Sequence, residues 1–272
     1  MILIFPALGI VLAALTVIAR GLSGTDILFD GLFYAFDYTV LLALGFVAFL
    51  VIISLFVDLK KPNEKFSKFY NGVAIFILRV ALDACNVKVK FEGKEKIPEG
   101  RFVLIQNHKA MFDPIVSIAY LGKHEIGFIT KPENLHLPVI NKFMHRICCI
   151  PIDRENPRNA VKSINAAVEN VKSGNCSMAI YPEGTRARDG EMLPFHAGSF
   201  KIATKSGAPL VITTVENTNH VHKNAPFKRT VVTLKVCEVI PAKEVAASST
   251  AELSERARRI MCESLGVPYS EE

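Results

Sequence analysis

The sequence predicts an α/β domain with a mostly parallel central sheet flanked by helices, preceded by an N-terminal hydrophobic two-helix membrane motif. Apolar residues are concentrated at the front of the chain, where Arg20 is the only cation before position 60. From position 87 onward, short apolar runs alternate with helical stretches, as in parallel sheets whose strands are buried on both faces. We therefore divide the chain into a membrane-anchoring helical hairpin at 1–59 and a cytoplasmic α/β domain at 60–272.

The first 59 residues contain two apolar runs, each about as long as a bilayer span. The runs cover 1–19 and 38–57, and the connector at 21–37 holds three aspartates. The first run has neither a basic start nor a small-residue cleavage site, so a removed signal peptide is not expected. Two spans with a short outer loop fit this pattern, and so does a hairpin that dips into one leaflet.

Charge is distributed as unevenly as hydrophobicity. Up to Leu59 the chain carries one arginine and four aspartates, a net charge of −3, which leaves +9 for the remainder of a chain whose total is +6. Four lysines follow the second run directly, so the positive-inside rule puts the body on the cytoplasmic face of the inner cell membrane. A basic body behind an apolar hairpin predicts membrane lipids as partners, and no motif predicts nucleic acid.

Seven short apolar runs are the predicted strands, at 87–91, 102–106, 126–130, 148–152, 177–181, 209–215 and 231–239. A helix is predicted at 157–173, because proline opens it and Gly174 follows it. Ser249 and Glu252 predict a capping box for a last helix that ends at Gly266. The apolar stretch at 69–84 fits either a helix at the membrane interface or a helix that covers the core.

The six cysteines form no CxxC pair and have mostly apolar neighbours. This usage is typical of buried thiols in a reducing compartment, so we expect neither disulfides nor a metal site.

A candidate catalytic pair follows the run at 102–106. His108 comes just past the end of this strand, where open α/β sheets bind their ligands. Pro114 fits the first turn of a helix, and Asp113 before it is predicted to be the N-cap. A tight turn between them could bring the carboxylate back to the imidazole, fix its tautomer and leave the other ring nitrogen as a base. A histidine beside a capping aspartate can also be purely structural.

Polar and basic side chains follow three further predicted strands. Glycine permits a close backbone approach, and lysine and arginine suit a phosphate. Each loop by itself could be only solvated, but together the loops describe a pocket with a base and several cations. The residues are Lys131, Arg154, Glu183, Gly184, Thr185 and Arg186.

The segment NHKAMFD at 107–113 resembles the NHxxxxD block of the glycerolipid acyltransferases. The order of the later segments matches as well: KPE, IDRENPR, EGTR, FHAGSFKIA and GAPLVI. The resemblance covers roughly 60–239 and is strongest to bacterial lysophosphatidic acid acyltransferases. The segment APLVIT departs from it, because Ile212 stands where the family often has a second proline, which leaves acyl preference less defined than the reaction.

The resemblance implies that His108 is the catalytic base and Asp113 its partner acid. It implies that Arg154 and the segment at 183–186 bind the glycerol phosphate of the acceptor. We add Lys131, on its charge and position, and Asn107, from the matching block, as candidate substrate-binding residues. The implied reaction transfers a fatty acyl group to the sn-2 hydroxyl of lysophosphatidic acid. The donor is acyl-coenzyme A or acyl-acyl carrier protein, a co-substrate, and no cofactor is expected.

Several alternatives remain open from the sequence. A sibling enzyme could acylate glycerol 3-phosphate or a lysophospholipid with a larger headgroup. A membrane-bound thioester hydrolase could use the same base to activate water, and a catalytically silent lipid-binding protein could keep the same fold. A covalent route through Ser117 or Ser199 is disfavoured, because no GxSxG elbow frames either serine.

Overall fold

The structure is a computed structural model that describes residues 3–62, 65–187 and 191–269. The chain forms two compact units, Met1–Asp58 and Leu59–Glu272. In the described residues, the secondary-structure elements of the first unit are all helices, and the second unit contains the sheet.

The first unit is a helical hairpin of α1, Ile4–Arg20, and α2, Thr25–Leu55. The two helices approach closely at Gly9, where a Cβ atom would lie 2.9 Å from the carbonyl oxygen of Ala35. A hydrogen bond of 2.9 Å between the hydroxyls of Thr16 and Tyr38 also joins them. Of the helices in the described residues, α2 alone is long and apolar enough to cross a membrane.

The polar connector expected at 21–37 is wrong in extent. Only residues 21–24 form the turn, and α2 takes in the rest. Asp26, Asp30 and Asp37 are spaced by four and seven residues, so they share one narrow face of a helix and leave the other faces apolar. Asp26 also lies in the first turn, where a carboxylate complements the positive end of the helix dipole.

The second unit is built on a seven-stranded sheet in the order β1-β7-β6-β2-β5-β3-β4. Among neighbouring strands, only β6 and β7 are antiparallel, and the other five pairs are parallel, which confirms the predicted fold class. The strands are β1 Val87–Glu92, β2 Val103–Gln106, β3 Ile126–Thr130, β4 Ile150–Pro151, β5 Ser177–Ile180, β6 Leu210–Glu216 and β7 Thr230–Ile240.

Eight helices complete this unit within the described residues. They are α3 Lys68–Ala84, α4 Phe112–Leu121, α5 Ile140–Arg146, α6 Pro157–Lys172, α7 Lys201–Ser206, α8 Val221–Asn224, α9 Ala242–Ala247 and α10 Thr250–Leu265. The predicted capping box opens α10, because Ser249 accepts from the amide of Glu252 and the Glu252 carboxylate accepts from that of Ser249. The stretch at 69–84 covers the core as α3, since Tyr70 and Leu82 are buried.

The sheet separates two apolar cores. Val103 and Ile105 of β2 point to the side covered by α6, α7 and α10, and Leu104 points to the side covered by α3 and α4. Because β2, β3, β5 and β6 are parallel, their carboxyl ends open at one edge of the sheet. The loops that follow these ends form the candidate site.

Gly127 of β3 is expected to tolerate no side chain. A Cβ atom there would lie 2.5 Å from the carbonyl oxygen of Cys148, which is backbone and cannot swing aside. We expect Gly127→Ala to lower the free energy of unfolding by about 1–3 kcal/mol through overpacking. Gly72→Ala on α3 is the control, because a Cβ atom at this position would have no neighbour within 4 Å. This variant should raise the free energy of unfolding by about 0.5–1 kcal/mol. Denaturant unfolding followed by circular dichroism compares both variants with the parent, and equal midpoints would contradict this reading.

Candidate active site

Strand β2 ends at Gln106, and Asn107 and His108 follow it at the open edge of the sheet. The Asn107 side chain is fully buried and continues the ladder between β2 and β6. Its amide nitrogen donates to the Val215 carbonyl at 3.0 Å, and its oxygen accepts from the Val215 amide at 2.8 Å. Asn107 was expected to bind substrate, but its polar atoms are engaged by β6. These bonds suit Asn107 to fixing the backbone of the next residue, His108.

His108 and Asp113 form a hydrogen-bonded pair. The imidazole Nδ1 lies 2.8 Å from Oδ2 of Asp113. The same oxygen accepts from the backbone amides of Lys109 and Ala110, at 2.7 and 2.8 Å. Because a carboxylate surrounded by donors can only accept, Nδ1 carries the hydrogen and Nε2 keeps a free lone pair. The histidine side chain is 19% exposed, so Nε2 can be reached from the edge.

Asp113 occupies a different helix position from the one predicted. Helix α4 begins at Phe112, its N-cap is Met111 without a side-chain cap, and Asp113 lies inside the first turn. The expected N-cap role is therefore wrong, because the carboxylate accepts amides from the loop before the helix instead of the amides of the helix itself. The expected turn is present, and Pro114 lies in the first helical turn.

Thr218 completes the environment of the buried carboxylate. Its hydroxyl donates to Oδ1 of Asp113 at 2.5 Å, so both carboxylate oxygens are held. Sequence reasoning missed this residue. Thr218 lies two residues beyond the end of β6, so the strand-end rule that singled out His108 also covers its position.

The imidazole of His108 stacks on the ring of Tyr181, with ring centroids 4.4 Å apart and planes inclined by 26°. Phe128 stacks on the same tyrosine at 6.5 Å. Burial raises the pKa of Tyr181 well above its usual value, so the phenol stays neutral. Tyr181 was also missed as a site residue, although it directly follows the end of β5.

Glu183 ties the loop after β5 to the histidine. Its carboxylate accepts from the amide of His108 at 2.7 Å and from the amide of Leu193 at 3.3 Å. The residue is 4% exposed, and burial raises the pKa of its carboxyl group to about 7. A buried carboxyl that already holds two amides repels a phosphate when it is charged. Its geometry fits support of His108 better than direct contact with the acceptor.

Gly184 lies beside a groove between α6 and α7. Its φ of 73° suits glycine, and a Cβ atom there would lie 2.9 Å from the ring of His196 and 3.6 Å from Nη1 of Arg154. The groove encloses about 260 Å³. Its wall is apolar, with Ile152, Val161 and Ile164, and its rim is basic, with Arg154, His196, Lys201 and Lys205.

The loop that carries Arg154 is held in shape by Asp153. The Asp153 carboxylate accepts from the amides of Glu155 and Asn156, each at 3.2 Å. Desolvation lowers the pKa of Arg154, and the nearby Glu133 partly offsets this. A guanidinium nevertheless stays charged in proteins, so the rim of the groove keeps a fixed positive charge.

The structure brings some of the predicted residues together and leaves others in exposed loops. Asn107, His108, Asp113 and Glu183 form one connected cluster, and Gly184 meets Arg154 at the groove. Lys131, Thr185 and Arg186 are exposed in the loops that follow β3 and β5, at the same edge of the sheet. Their roles in substrate binding stay predictions.

The serine and cysteine side chains near the site offer little as nucleophiles. Ser117 is fully buried and donates to the side-chain oxygen of Gln106 at 2.6 Å, and Ser199 is 7% exposed. All six cysteines are free thiols, and burial raises the pKa of Cys149 to about 12. The cluster therefore suits a base that activates a hydroxyl supplied by the substrate.

The fold is an α/β domain with a histidine–aspartate pair at the open edge of its sheet, and comparison with known proteins shows which family the domain resembles. The family model described as Acyltransferase matches residues 88–216. Over this stretch the chain is similar to the acyltransferase family. It begins in β1 and ends with β6, so it includes His108, Asp113 and the loop at 183–186.

Two similar proteins with assigned names are 1-acyl-sn-glycerol-3-phosphate acyltransferases. This chain is 35% identical over 136 residues to a chloroplast 1-acyl-sn-glycerol-3-phosphate acyltransferase of Brassica napus, covering 49% of this chain and 39% of that one. It is 31% identical over 144 residues to the 1-acyl-sn-glycerol-3-phosphate acyltransferase of Borreliella burgdorferi, covering 53% and 57%. The chain thus spans about half the length of the curated relatives it matches.

A solved structure shares the fold. The crystal structure of the 1-acyl-sn-glycerophosphate acyltransferase of Thermotoga maritima matches with a TM-score of 0.65, over 84% of this chain and 91% of that one. The two sequences are 24% identical, so this likeness supports the architecture alone.

Ionisation of Glu183 should make folding stability depend on pH. The pKa of its carboxyl group is about 7 in the folded chain, against an ordinary value of 4.5. Between these values the folded protein binds a proton that the unfolded chain has released, so the contribution of this group to stability is lost as pH rises from about 4.5 to about 7. Over that window the parent should lose on the order of 3 kcal/mol relative to Glu183→Gln.

Free energies of unfolding of the parent and Glu183→Gln, measured at about pH 5 and about pH 8, test this linkage. Glu99→Gln is the control, because it changes an exposed carboxylate and should keep the pH dependence of the parent. Parallel pH profiles for the parent and Glu183→Gln would show that Glu183 titrates normally.

Proposed function

We propose that this chain transfers a fatty acyl group from an acyl thioester to the sn-2 hydroxyl of lysophosphatidic acid, giving phosphatidic acid for phospholipid synthesis. The observation that carries the proposal is the hydrogen bond of 2.8 Å from His108 Nδ1 to the buried Asp113 carboxylate, which leaves Nε2 free as a base. The names of the relatives support lysophosphatidic acid as the acceptor.

His108 acts as the general base. Its Nε2 takes the proton of the acceptor hydroxyl as that oxygen attacks the thioester carbonyl, and the resulting imidazolium is stabilised by Asp113. When the tetrahedral intermediate collapses, the C–S bond breaks and the thiolate takes the proton back from Nε2. The substrate hydroxyl occupies the place that a serine holds in a triad, so no acyl-enzyme forms.

Basic residues at the edge would hold the acceptor phosphate. Arg154 at the rim of the groove and Arg186 in the loop after β5 are cations of the kind that binds phosphate through paired hydrogen bonds. Lys131 adds a point charge after β3. Fixing the phosphate fixes the hydroxyl relative to Nε2, and positioning of this kind can supply several kcal/mol of the activation barrier.

The N-terminal hairpin would place this chemistry at a membrane. In the proposal, residues 1–59 anchor the chain and 60–272 form the catalytic domain on the cytoplasmic face of the inner membrane. The length and apolarity of α2 and the lysines that follow it support this arrangement. The donor would be an acyl-coenzyme A or acyl-acyl carrier protein, which reaches the site from the aqueous side.

Removal of the base should lower turnover strongly without unfolding the domain. We expect His108→Ala to lower kcat by about 10²–10⁴-fold, the usual contribution of a general base. Asp113→Asn should lower it comparably, because the amide no longer holds the imidazole in the required tautomer. Acyl transfer is measured with a labelled thioester, and circular dichroism checks folding. His136→Ala, at an exposed histidine, is the control. Near-parental transfer by His108→Ala would rule out the mechanism.

Phosphate recognition should distinguish the acceptors. Lysophosphatidic acid, glycerol 3-phosphate and lysophosphatidylcholine are supplied in turn with the labelled thioester, and the lipid product is identified. We expect phosphatidic acid, with KM for lysophosphatidic acid raised about 10- to 100-fold in Arg154→Ala, the loss of one charge-assisted contact. Arg158→Ala, an exposed arginine four residues further on, should leave KM unchanged. Release of free fatty acid without an acceptor would identify a thioester hydrolase instead.

A further inference from the structure

The connection between β6 and β7, residues 217–229, carries the most exposed large apolar side chain that the structure describes. Phe227 at its tip is 95% exposed. The tip is held in place by backbone hydrogen bonds, from the amide of Ala225 to Val221 at 2.9 Å and from the amide of Lys228 to Asn224 at 2.8 Å. The phenyl ring therefore projects into solvent from a closed turn.

The same connection is basic. It contains Lys223, Lys228 and Arg229, and no aspartate or glutamate. All three cations are exposed. Arg229 also donates to the side-chain oxygen of Asn86 at 3.3 Å, which holds the end of the connection where it enters β7. An exposed aromatic ring flanked by cations is the arrangement found where a protein meets the headgroup region of an anionic membrane.

The connection starts at the edge of the sheet that holds the catalytic pair. It follows the carboxyl end of β6, and its residue Thr218 donates to Asp113. At the same edge, in the loop after β2, Met111 is 62% exposed. Two neighbouring loops of the site thus present apolar side chains to solvent.

We propose that Phe227, with Lys223, Lys228 and Arg229, forms a second membrane contact. Through it, the sheet edge that holds His108 and Asp113 binds anionic lipid independently of the N-terminal helices. The ring would enter the headgroup boundary, and the cations would pair with lipid phosphates. A single projecting ring offers too little area for a stable protein interface, whereas each basic residue near an anionic bilayer adds attraction. The contact would hold the open edge against the surface from which a lipid acceptor arrives.

The purpose of this contact rests on the proposed function, but its test does not. The chain contains no tryptophan, so Phe227→Trp introduces a single fluorescent reporter. The full chain is reconstituted in vesicles of phosphatidylcholine, with or without phosphatidylglycerol, whose acyl chains are brominated. Glu95→Trp is the matched control, because Glu95 is exposed and follows β1, which ends at the opposite edge of the sheet.

We expect the emission of Phe227→Trp to shift to shorter wavelength and to be quenched by the brominated chains, more strongly with phosphatidylglycerol. Adding Lys223→Glu and Lys228→Glu should abolish the dependence on phosphatidylglycerol, and Glu95→Trp should stay unquenched. Absence of quenching in both vesicle types would overturn the proposal. The proposal would also be overturned if an acidic acyl carrier protein, and not lipid, shifted the emission of Phe227→Trp. Circular dichroism confirms that each variant folds, and none of these readouts depends on acyl transfer.

Discussion

The buried carboxylate of Asp113 is the interaction on which the rest of the site depends. It has no exposed surface, and it accepts hydrogen bonds from the His108 imidazole, two loop amides and the Thr218 hydroxyl. A buried charge is costly unless donors surround it, so the loop after β2 must wrap around this group. The same bonds set the tautomer and orientation of the imidazole. The hydrogen bonds that hold the loop thus also hold the imidazole.

The parallel sheet supplies the donors from distant parts of the chain. β2 brings His108, β5 brings Tyr181 and Glu183, and β6 brings Thr218. Parallel strands end at one edge, so residues more than 100 positions apart in sequence become neighbours. A hydrolase and a transferase could share such a cluster. The groove, with its apolar wall and basic rim, supports the proposed acceptor, which carries both an acyl chain and a phosphate.

Much of this could be predicted from the sequence. The strand at 126–130 matches the structure residue for residue, and the capping box at Ser249 is present, because both depend on local patterns. Local reasoning failed where two patterns competed. In the connector at 21–37 polarity suggested a loop, while the helical spacing of the aspartates allowed α2 to continue. At Asp113, proline and aspartate suggested an N-cap, but the preceding loop took the carboxylate.

By itself, the sequence determined the α/β class, the apolar hairpin, the approximate positions of the strands and the closeness of His108 to Asp113, because periodicity and short spacing encode these features locally. Only the tertiary structure decided that Asn107 bonds to β6, that Glu183 bonds to the amide of His108, and that Thr218 and Tyr181 contact the pair. It also decided that Phe227 projects beside the site. These facts depend on which strands are neighbours and which side chains are buried. Both follow from long-range packing of the whole sheet, which no local pattern contains.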